Sequence, residues 1–334
     1  MNTFKQIGVI GSGAMGRGIA QLFATAGVPV LLYDSRSEAT EEALQANRAL
    51  LERSAAKGKL SSEALATALA CMRPAVSLEA LADCDLLIEA IVENLDAKQG
   101  LFRALEQVVR ADAVLATNTS SLSVSLIASA CQHPERVAGF HFFNPVPLMK
   151  IVEVVRGELT DPQVIERLAT LAGHAGHFAA TTPDSPGFLV NHAGRAFGPE
   201  ALRILGEGIA TPAQIDRILK DSLGFRMEPF ELFDLVGLDI FHAVMEKLHT
   251  HFYQDPRYTP SALVPPRLAS GLLGRKTGQG FYRYQDGSVV EEEEQQAQPQ
   301  VAITQPFWLD CGDSAMRERI AAVLSVAGVV LEQG

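Results

Sequence analysis

A histidine and a glutamate lie at equal distances from a proline-rich bend in the chain. His141 lies in the apolar run Val137–Phe143, and Glu153 lies in a second such run, Lys150–Val155. Because proline fixes its own backbone angle and removes an amide donor, the sequence predicts that the chain folds back near Pro147. The two side chains would then face each other. A carboxylate beside an imidazole sets its tautomer and stabilises its charged form, as a general base requires.

The same pair also has an ordinary structural interpretation, a core histidine beside a surface glutamate. Most such pairs in proteins are structural and carry no chemistry. The pair alone therefore does not distinguish a catalytic role from a structural one. The surrounding elements must provide that distinction.

A run of small polar residues should lie near His141. Asn118-Thr119-Ser120-Ser121 follows the predicted strand Val114–Ala116. Ligands of a doubly wound sheet bind at the carboxyl ends of its strands. Since Val137–Phe143 is predicted as the next strand, Ser120 and His141 should lie at the same edge. Ser120 could hydrogen-bond a substrate oxygen there, or it could cap the next helix.

A glycine-rich turn near the start of the chain predicts a dinucleotide site. The strand Gln6–Ile10 leads into Gly11-Ser12-Gly13-Ala14-Met15-Gly16, and a helix follows. Such glycines allow a tight turn, a close approach to a pyrophosphate and close packing of helix on strand. The next strand, Pro29–Tyr33, ends at Asp34 with the spacing that the motif requires. Asp34 should bind the ribose hydroxyls and repel a 2′-phosphate, which predicts NAD, although Arg36 could soften that preference.

The alternation of strands and helices predicts an α/β fold. A Rossmann-like, doubly wound sheet should occupy residues 1–184, interrupted by a helical hairpin arm at 38–70 that breaks at Lys57-Gly58-Lys59. The basic residues of this arm are either a solvated face or a contact for a polyanionic part of a substrate. Residues 185–284 show helical spacing up to the glycine-rich segment that begins at 271, which predicts an all-helical domain.

Several polar residues outside the sheet edge have open roles. Asn191 lies in the first turns of a predicted helix, where it could face the cleft or lie on the surface. Glu89, Glu93 and Lys98 could all be charges on a helix surface. The run Pro229–Leu248 continues the helical pattern. The glycine-rich, basic segment 271–284 is predicted as a loop, in which Lys276 has no clear assignment.

The end of the chain has a different composition. Residues 285–305 are predicted to be an acidic polar linker. Residues 306–334 resemble a short β-α-β tail, with strands at Phe307–Leu309 and Val329–Leu331 around a helix at Ser314–Val326. Such a tail is either the opening of a further module or a segment that packs on the body.

Composition excludes several classes of partner. The net charge is −11 without a basic stripe, which argues against nucleic acid. The longest apolar run is too short to span a bilayer, and no signal-peptide cleavage site is recognisable. Neither a metal nor a disulfide is expected from the cysteines, whose spacing matches no metal site. A cytoplasmic protein is therefore predicted. The cysteines are Cys71, Cys84, Cys131 and Cys311.

With these residues assembled, the chain resembles the L-3-hydroxyacyl-CoA dehydrogenase family over about residues 4–284. The matching segments are GSGAMGRGIA, IEAIVENL, NTSSL, HFFNPVPLMKIVEVV, DSPGFLVN, EPFELFDLVGLD and GRKTGQGFY. The resemblance implies NAD-dependent oxidation of an (S)-3-hydroxyacyl-CoA to the 3-ketoacyl-CoA, as in β-oxidation of fatty acids. It also implies an acyl-CoA partner and a homodimer formed through the helical domain.

The resemblance also implies roles for individual residues. His141 matches the base that removes the hydroxyl proton, and Glu153 matches its carboxylate partner. Ser120 matches the serine that hydrogen-bonds the substrate oxygen, and Asn191 an asparagine that helps to place the acyl group. The remaining matches are Glu93, Lys98, Asn144 and Lys276 on the cofactor side and Lys57 at a CoA-contacting position of the arm.

Three segments, DSPGF, FRMEPFELFDLVG and FYQDPRY, look most like the branch that acts on 3-hydroxyadipyl-CoA in phenylacetate breakdown. Glu228 in EPFEL stands where that family usually has glycine. If this loop lines the acyl pocket, an acidic residue there weighs against a dicarboxylic substrate.

Three other functions share parts of this pattern. The β-hydroxyacid dehydrogenases share the glycine motif but use a lysine in the helical domain, and PGFLVNHAGRAFG offers none. A hydrolase built on Ser120, His141 and Glu153 lacks the strand–turn–helix G-x-S-x-G setting. A non-catalytic NAD-binding scaffold would explain the acidic linker and tail, but not the four candidate site residues together.

Overall fold

The computed structural model describes residues 4–195, 197–290, 309, 313–326 and 331. The chain divides into two compact units, Met1–Gly287 and Ser288–Gly334. The first unit contains the sheet, its helices and the helical segment that follows.

An eight-stranded sheet organises the first part of the chain. Its strands are β1 (Ile7–Ile10), β2 (Val30–Tyr33), β3 (Met72–Pro74), β4 (Leu86–Glu89), β5 (Val114–Thr117), β6 (Val137–Phe142), β7 (Ile151–Arg156) and β8 (Phe178–Pro183). They lie in the order β3-β2-β1-β4-β5-β6-β7-β8, parallel except for the antiparallel pair β6–β7. The order reverses between β1 and β4, which creates the crevice where such sheets bind ligands. This is the predicted Rossmann-like topology.

Helices cover both faces of the sheet. They are α1 (Ala14–Thr25), α2 (Ser37–Ala56), α3 (Ser62–Cys71), α4 (Leu95–Val108), α5 (Val124–Ala128) and α6 (Pro162–His174). Alternate strand residues enter separate apolar clusters, since Ile88 packs in one with Phe23 and Leu87 packs in the other with Phe102. A sheet buried on both faces needs such nearly continuous apolar strands.

The predicted helical arm is present as α2 and α3. The chain turns between them at Gly58, whose φ of 68° favours glycine. Asn47 on α2 is fully buried and its side-chain amide donates to the carbonyl of Arg17, 3.0 Å away on α1. That bond fixes the base of the arm to the helix that follows the glycine-rich turn.

Helices follow the sheet in the first unit, and most of them contribute to a separate apolar core. They are α7 (Val190–Arg195), α8 (Phe197–Gly206), α9 (Pro212–Leu223), α10 (Pro229–Val236), α11 (Leu238–His251) and α12 (Val264–Ala269). The core includes Phe230, Phe233 and Phe241. The helical pattern over Pro229–Leu248 is two helices in the structure, because the chain bends at Gly237 with a φ of 98°.

Two buried carboxylates attach the predicted loop 271–284 and α10 to this core. Asp234 accepts the backbone amides of Phe281 and Tyr282, each 2.9 Å away. Asp216 on α9 accepts two amides at the start of α10 and the hydroxyl of Tyr282, 2.7 Å away. Burial raises the pKa of Asp216 to about 6 against the opposition of these hydrogen bonds, and it also raises the pKa of Asp234.

In the second unit, the predicted tail helix is present as α13 (Ser314–Val326). Of the predicted linker, the structure describes residues 285–290. Of the two predicted tail strands, it describes one residue each, Leu309 and Leu331. No helix in the described ranges is long and apolar enough to cross a membrane. Cys71, Cys84 and Cys131 are free thiols, and Cys311 is not among the residues that the structure describes.

Candidate active site

The hairpin formed by β6 and β7 places the histidine directly opposite the glutamate. His141 and Glu153 are partners in the antiparallel register, and the Nδ1 of His141 lies 2.5 Å from the Oε2 of Glu153. Both side chains are buried, with 6% and 0% of their surfaces exposed. The facing geometry predicted from the proline-rich bend is therefore confirmed.

The second oxygen of Glu153 binds the beginning of the helical segment. Its Oε1 accepts the backbone amides of Leu189 at 2.8 Å and Val190 at 2.7 Å. Gly187 and Phe188 turn the chain toward it with φ values of 72° and 48°. With both oxygens occupied as acceptors, Glu153 fits an imidazole that carries its proton on Nδ1. The Nε2 of the ring is then the nitrogen that can accept a proton.

The three glycines of the glycine-rich turn differ in the space that a side chain would find at each position. A Cβ on Gly11 would lie 2.5 Å from the carbonyl oxygen of Ala90, and one on Gly16 would lie 1.8 Å from the oxygen of Gly11. A Cβ on Gly13, by contrast, would meet nothing within 4 Å. The first and third glycines are thus required by packing. Gly13 leaves open space at the N-terminus of α1, which fits the approach of a dinucleotide pyrophosphate.

Asp34 is held at the carboxyl end of β2, beside the same turn. Its two oxygens accept the backbone amides of Ser12 at 2.8 Å and Arg36 at 3.0 Å. The carboxylate is therefore fixed where the motif expects the ribose of a bound dinucleotide.

A cavity of about 490 Å³ lies beside His141 and reaches the glycine-rich turn at Met15. One part of its lining comes from the carboxyl edge of the sheet, and the other comes from Asn191 and α11. The lining residues are Met15, Ala90, Ile91, Glu93, Asn118, Ser120, Ser121, His141, Phe142, Phe143, Asn144, Asn191, Val244, Lys247, Leu248 and His251. The structure thus brings His141, Ser120, Asn191, Glu93 and Asn144 together at one cavity.

Glu93 organises the polar loop after β5. Its Oε1 accepts the hydroxyl of Thr119 at 2.7 Å and the backbone amides of Ser120 and Ser121 at 3.0 and 3.1 Å. Burial disfavours its charged form, but the hydrogen bond from Thr119 and the charge of Lys98 outweigh it, so the pKa of Glu93 lies below its ordinary value. The hydroxyl of Ser120 is 3.4 Å from the same oxygen, a long contact that leaves it able to bind another acceptor.

Glu89 and Lys98 are not the surface charges that their sequence context allowed. Glu89 ends β4 and is fully buried, and Lys98 on α4 is 1% exposed. The Nζ of Lys98 lies 2.5 Å from Glu89 and 3.3 Å from Glu93. Lys98 does not line the cavity, so its ammonium group contacts Glu93 from the buried side. The buried role of Glu89 had no signal in the sequence beyond its place after an apolar strand.

Three further candidates lie away from the cavity lining. Lys57 follows α2 at the exposed tip of the arm. Lys276 is paired with Asp239, with 2.6 Å between Nζ and Oδ1. Glu228 is buried at the start of α10, 3.5 Å from Lys220 on α9, and it does not line the cavity. Its side chain is directed at the neighbouring helix.

Lys247 and His251 line the cavity, and sequence analysis did not identify them. The helical spacing of α11 shows which residues share a face but not which face meets the sheet. Among the residues that the structure describes, no group of three His, Cys, Asp or Glu side chains could hold a metal ion.

Comparison with known sequences places both halves of the first unit. The NAD binding domain of 3-hydroxyacyl-CoA dehydrogenase matches residues 6–184, and the C-terminal domain of the same family matches residues 187–284. The 3-hydroxyadipyl-CoA dehydrogenase of Escherichia coli is 42% identical over 282 residues, which cover 84% of this chain and 59% of that protein. The 3-hydroxybutyryl-CoA dehydrogenase of Clostridioides difficile is 39% identical over 279 residues, covering 84% and 99%.

Solved structures show the same architecture. The (S)-3-hydroxybutyryl-CoA dehydrogenase of Ralstonia eutropha superposes with a TM-score of 0.80 at 37% identity, covering 85% of this chain and 100% of that one. A 3-hydroxybutyryl-CoA dehydrogenase of Escherichia coli gives a TM-score of 0.83 at 41% identity, covering 87% of this chain and 62% of the other. The chain thus belongs to the 3-hydroxyacyl-CoA dehydrogenase family, a family of oxidoreductases, and residues 6–184 are its NAD-binding domain.

Proposed function

We propose that the protein catalyses reversible, NAD-dependent oxidation of an (S)-3-hydroxyacyl-CoA to the 3-ketoacyl-CoA. The observation that carries this proposal is the buried His141–Glu153 pair, whose histidine lines a cavity that reaches the glycine-rich turn of an NAD-binding domain. The relatives that cover the first unit are named for the same reaction class.

His141 acts as the general base of this reaction. Its Nε2 accepts the proton of the 3-hydroxyl group as the hydrogen on the same carbon leaves with its electron pair. A bound NAD would supply the acceptor for that hydride. Glu153 accepts the Nδ1–H of the imidazole and offsets the positive charge that develops on the ring. General base catalysis of this kind contributes about 10²- to 10⁴-fold to the rate.

Ser120 and Asn191 position the reacting oxygen from two sides of the cavity. Ser120 lies on the sheet edge and Asn191 near the start of α7, and both line the cavity with His141. Hydrogen bonds from these side chains stabilise negative charge on the oxygen as the proton leaves. They also help to orient the carbon toward the cofactor side, where Met15, Glu93 and Asn144 line the cavity.

The nucleotide part of CoA is assigned to the tip of the helical arm, residues 48–59, where four basic residues meet one acidic residue, Glu52. Lys57 is exposed at the end of α2, and Arg48, Arg53 and Lys59 add positive charge along the same arm in an acidic protein. Phosphate groups bind to such clusters of lysine and arginine. The homodimer and the cytoplasmic location stay predictions from the sequence.

Consumption of NADH with acetoacetyl-CoA tests this function. The proposal expects steady turnover by the wild type and losses of orders of magnitude in His141→Gln, with NAD binding retained. NAD binding without turnover of any 3-ketoacyl-CoA would identify a non-catalytic scaffold instead.

A further inference from the structure

One face of α11 forms the helical wall of the cavity. Val244, Lys247, Leu248 and His251 have the spacing i, i+3, i+4, i+7, which aligns them on one side of a helix. Two of these side chains are apolar and two carry nitrogen donors. The cavity therefore contains a mixed wall that none of the assigned catalytic steps uses.

Lys247 brings a positive charge to this wall, and both Lys247 and His251 are exposed. Within the described part of the chain, neither Lys247 nor His251 has an ion pair. Glu93 is the carboxylate among the lining residues, and it is engaged by Lys98 and by the loop after β5. Glu246, the acidic neighbour of Lys247 on α11, lies 3.5 Å from His242 instead.

The composition of this wall selects among acyl chains. Val244 and Leu248 can contact methylene groups, whereas an apolar chain end placed against Lys247 would displace water from an ammonium group and return no hydrogen bond. A carboxylate at the chain end would accept charge-assisted hydrogen bonds from Lys247 and an N–H of His251. We propose that Lys247 and His251 bind the distal carboxylate of a dicarboxylic 3-hydroxyacyl chain.

This inference rests on the proposed oxidation of 3-hydroxyacyl-CoA and adds its substrate class. The sequence argument against a dicarboxylic substrate depended on Glu228 facing the acyl pocket. Glu228 is buried against α9 and does not line the cavity. On the helical wall of the cavity, the charge is therefore the positive one of Lys247.

Binding of non-reactive ligands tests the wall without turnover. Adipyl-CoA and hexanoyl-CoA have the same chain length and lack the 3-hydroxyl group, so calorimetry with the NAD-loaded protein isolates the effect of the end carboxylate. Because Lys247 and His251 are exposed, the wild type should bind adipyl-CoA about 2- to 10-fold more tightly, the range for two solvent-screened contacts. Lys247→Gln should reduce that ratio to near one, and Lys247→Arg should keep most of it.

Lys5→Gln is the matched control, because Lys5 is also exposed but precedes β1, at the opposite end of the strand from the ligand edge. It should leave the ratio unchanged. Equal binding of the two ligands by the wild type would overturn the inference, whatever the enzyme turns over. So would a ratio that survives in Lys247→Gln.

A phosphate of CoA is the competing source of negative charge. Adipyl and hexanoyl thioesters of pantetheine lack the CoA nucleotide, so they separate the two sources. The wild type should keep its preference for the adipyl thioester in this form. An equal loss of both CoA ligands in Lys247→Gln, with no effect on the pantetheine ligands, would assign Lys247 to a phosphate and refute the carboxylate.

Turnover of 3-hydroxyadipyl-CoA and 3-hydroxyhexanoyl-CoA separates this inference from the proposed function. Turnover of both substrates at equal kcat/KM would refute the carboxylate preference and support the dehydrogenase. If neither substrate is turned over, the proposed dehydrogenase activity is refuted. The ratio of the affinities for adipyl-CoA and hexanoyl-CoA would still test whether Lys247 and His251 bind the carboxylate.

Discussion

Glu153 accepts the backbone amide of Val190 at 2.7 Å while its other oxygen lies 2.5 Å from His141. The carboxylate that orients the imidazole therefore also binds the first residue of α7. Asn191, the next residue, lines the cavity. The proposed base and the proposed positioning asparagine thus share one anchor.

Glu153→Gln should slow turnover by about 10²- to 10⁴-fold. Glutamine has one acceptor oxygen, and if that oxygen keeps the amides of Leu189 and Val190, its NH₂ group faces the Nδ1 of His141. The imidazole must then accept at Nδ1 and carry its proton on Nε2, where it cannot act as a base. Single-turnover kinetics and NAD titration would measure the effect. Glu158→Gln, an exposed change after β7, is the control, and equal rates in both variants would contradict the assigned role.

Gly13→Ala and Gly16→Ala should separate cofactor binding from folding. A methyl group on Gly13 enters open space, so stability should change little while NAD affinity falls, because the backbone approach to the pyrophosphate is blocked. A methyl group on Gly16 meets the oxygen of Gly11 and should lower the free energy of unfolding by about 1–3 kcal/mol. Urea unfolding and NAD titration would check both. Unchanged NAD affinity in Gly13→Ala would place the pyrophosphate elsewhere.

Lys98→Met should destabilise the protein by about 3–5 kcal/mol, the cost of leaving buried carboxylates without their cation. Lys98 is 1% exposed and contacts Glu89 and Glu93. Lys276→Met is the control, because the pair of Lys276 with Asp239 is exposed and such pairs contribute little. Chemical denaturation would compare them. A variant of Lys98 with normal stability and lost NAD affinity would show that Lys98 contacts the cofactor directly.

The stability of the helical core should depend on the protonation of Asp216. Its folded-state pKa of about 6 lies above the ordinary value of 3.8, so between these pH values the folded protein binds more protons than the unfolded chain. The free energy of unfolding therefore falls as the pH rises through this window. The Asp216→Asn variant has no titrating group at this position. Asp234, whose pKa is also raised, is present in the variant and in the wild type, so its contribution cancels in the comparison.

Urea unfolding of the wild type and of Asp216→Asn at several pH values would measure this contribution. The variant should be less stable by about 1–3 kcal/mol, because asparagine cannot accept all the bonds that Asp216 accepts. Its deficit should grow as the pH falls from 7 to 4, since the wild type gains the proton-linked contribution. A deficit that is constant with pH would contradict the raised pKa.

Local signals were enough to predict the frame of the site. The glycine spacing, the strand that ends at Asp34 and the prolines around Pro147 each act on the backbone within a few residues. The sequence therefore indicated both the dinucleotide turn and the facing of His141 and Glu153. The helical arm followed in the same way from a glycine between two helical patterns.

Residues that depend on packing between distant elements could not be predicted. Glu89 and Lys98 have the spacing of surface charges, and only the meeting of β4, β5 and α4 shows that they are buried. The position of Glu228 depends in the same way on its contact with α9. The position of Lys247 in the cavity lining could not be predicted either, because periodicity does not show which face of a helix meets the cavity.

The antiparallel register of β6 and β7 has a consequence for how the site tolerates change. Phe140, Phe142, Val152 and Val154 alternate with His141 and Glu153 and pack in the same apolar cluster. A slip of one residue in either strand would turn its ionisable side chain into that cluster and its apolar neighbours into the cavity. Mispairing is therefore penalised by the hydrophobic core itself.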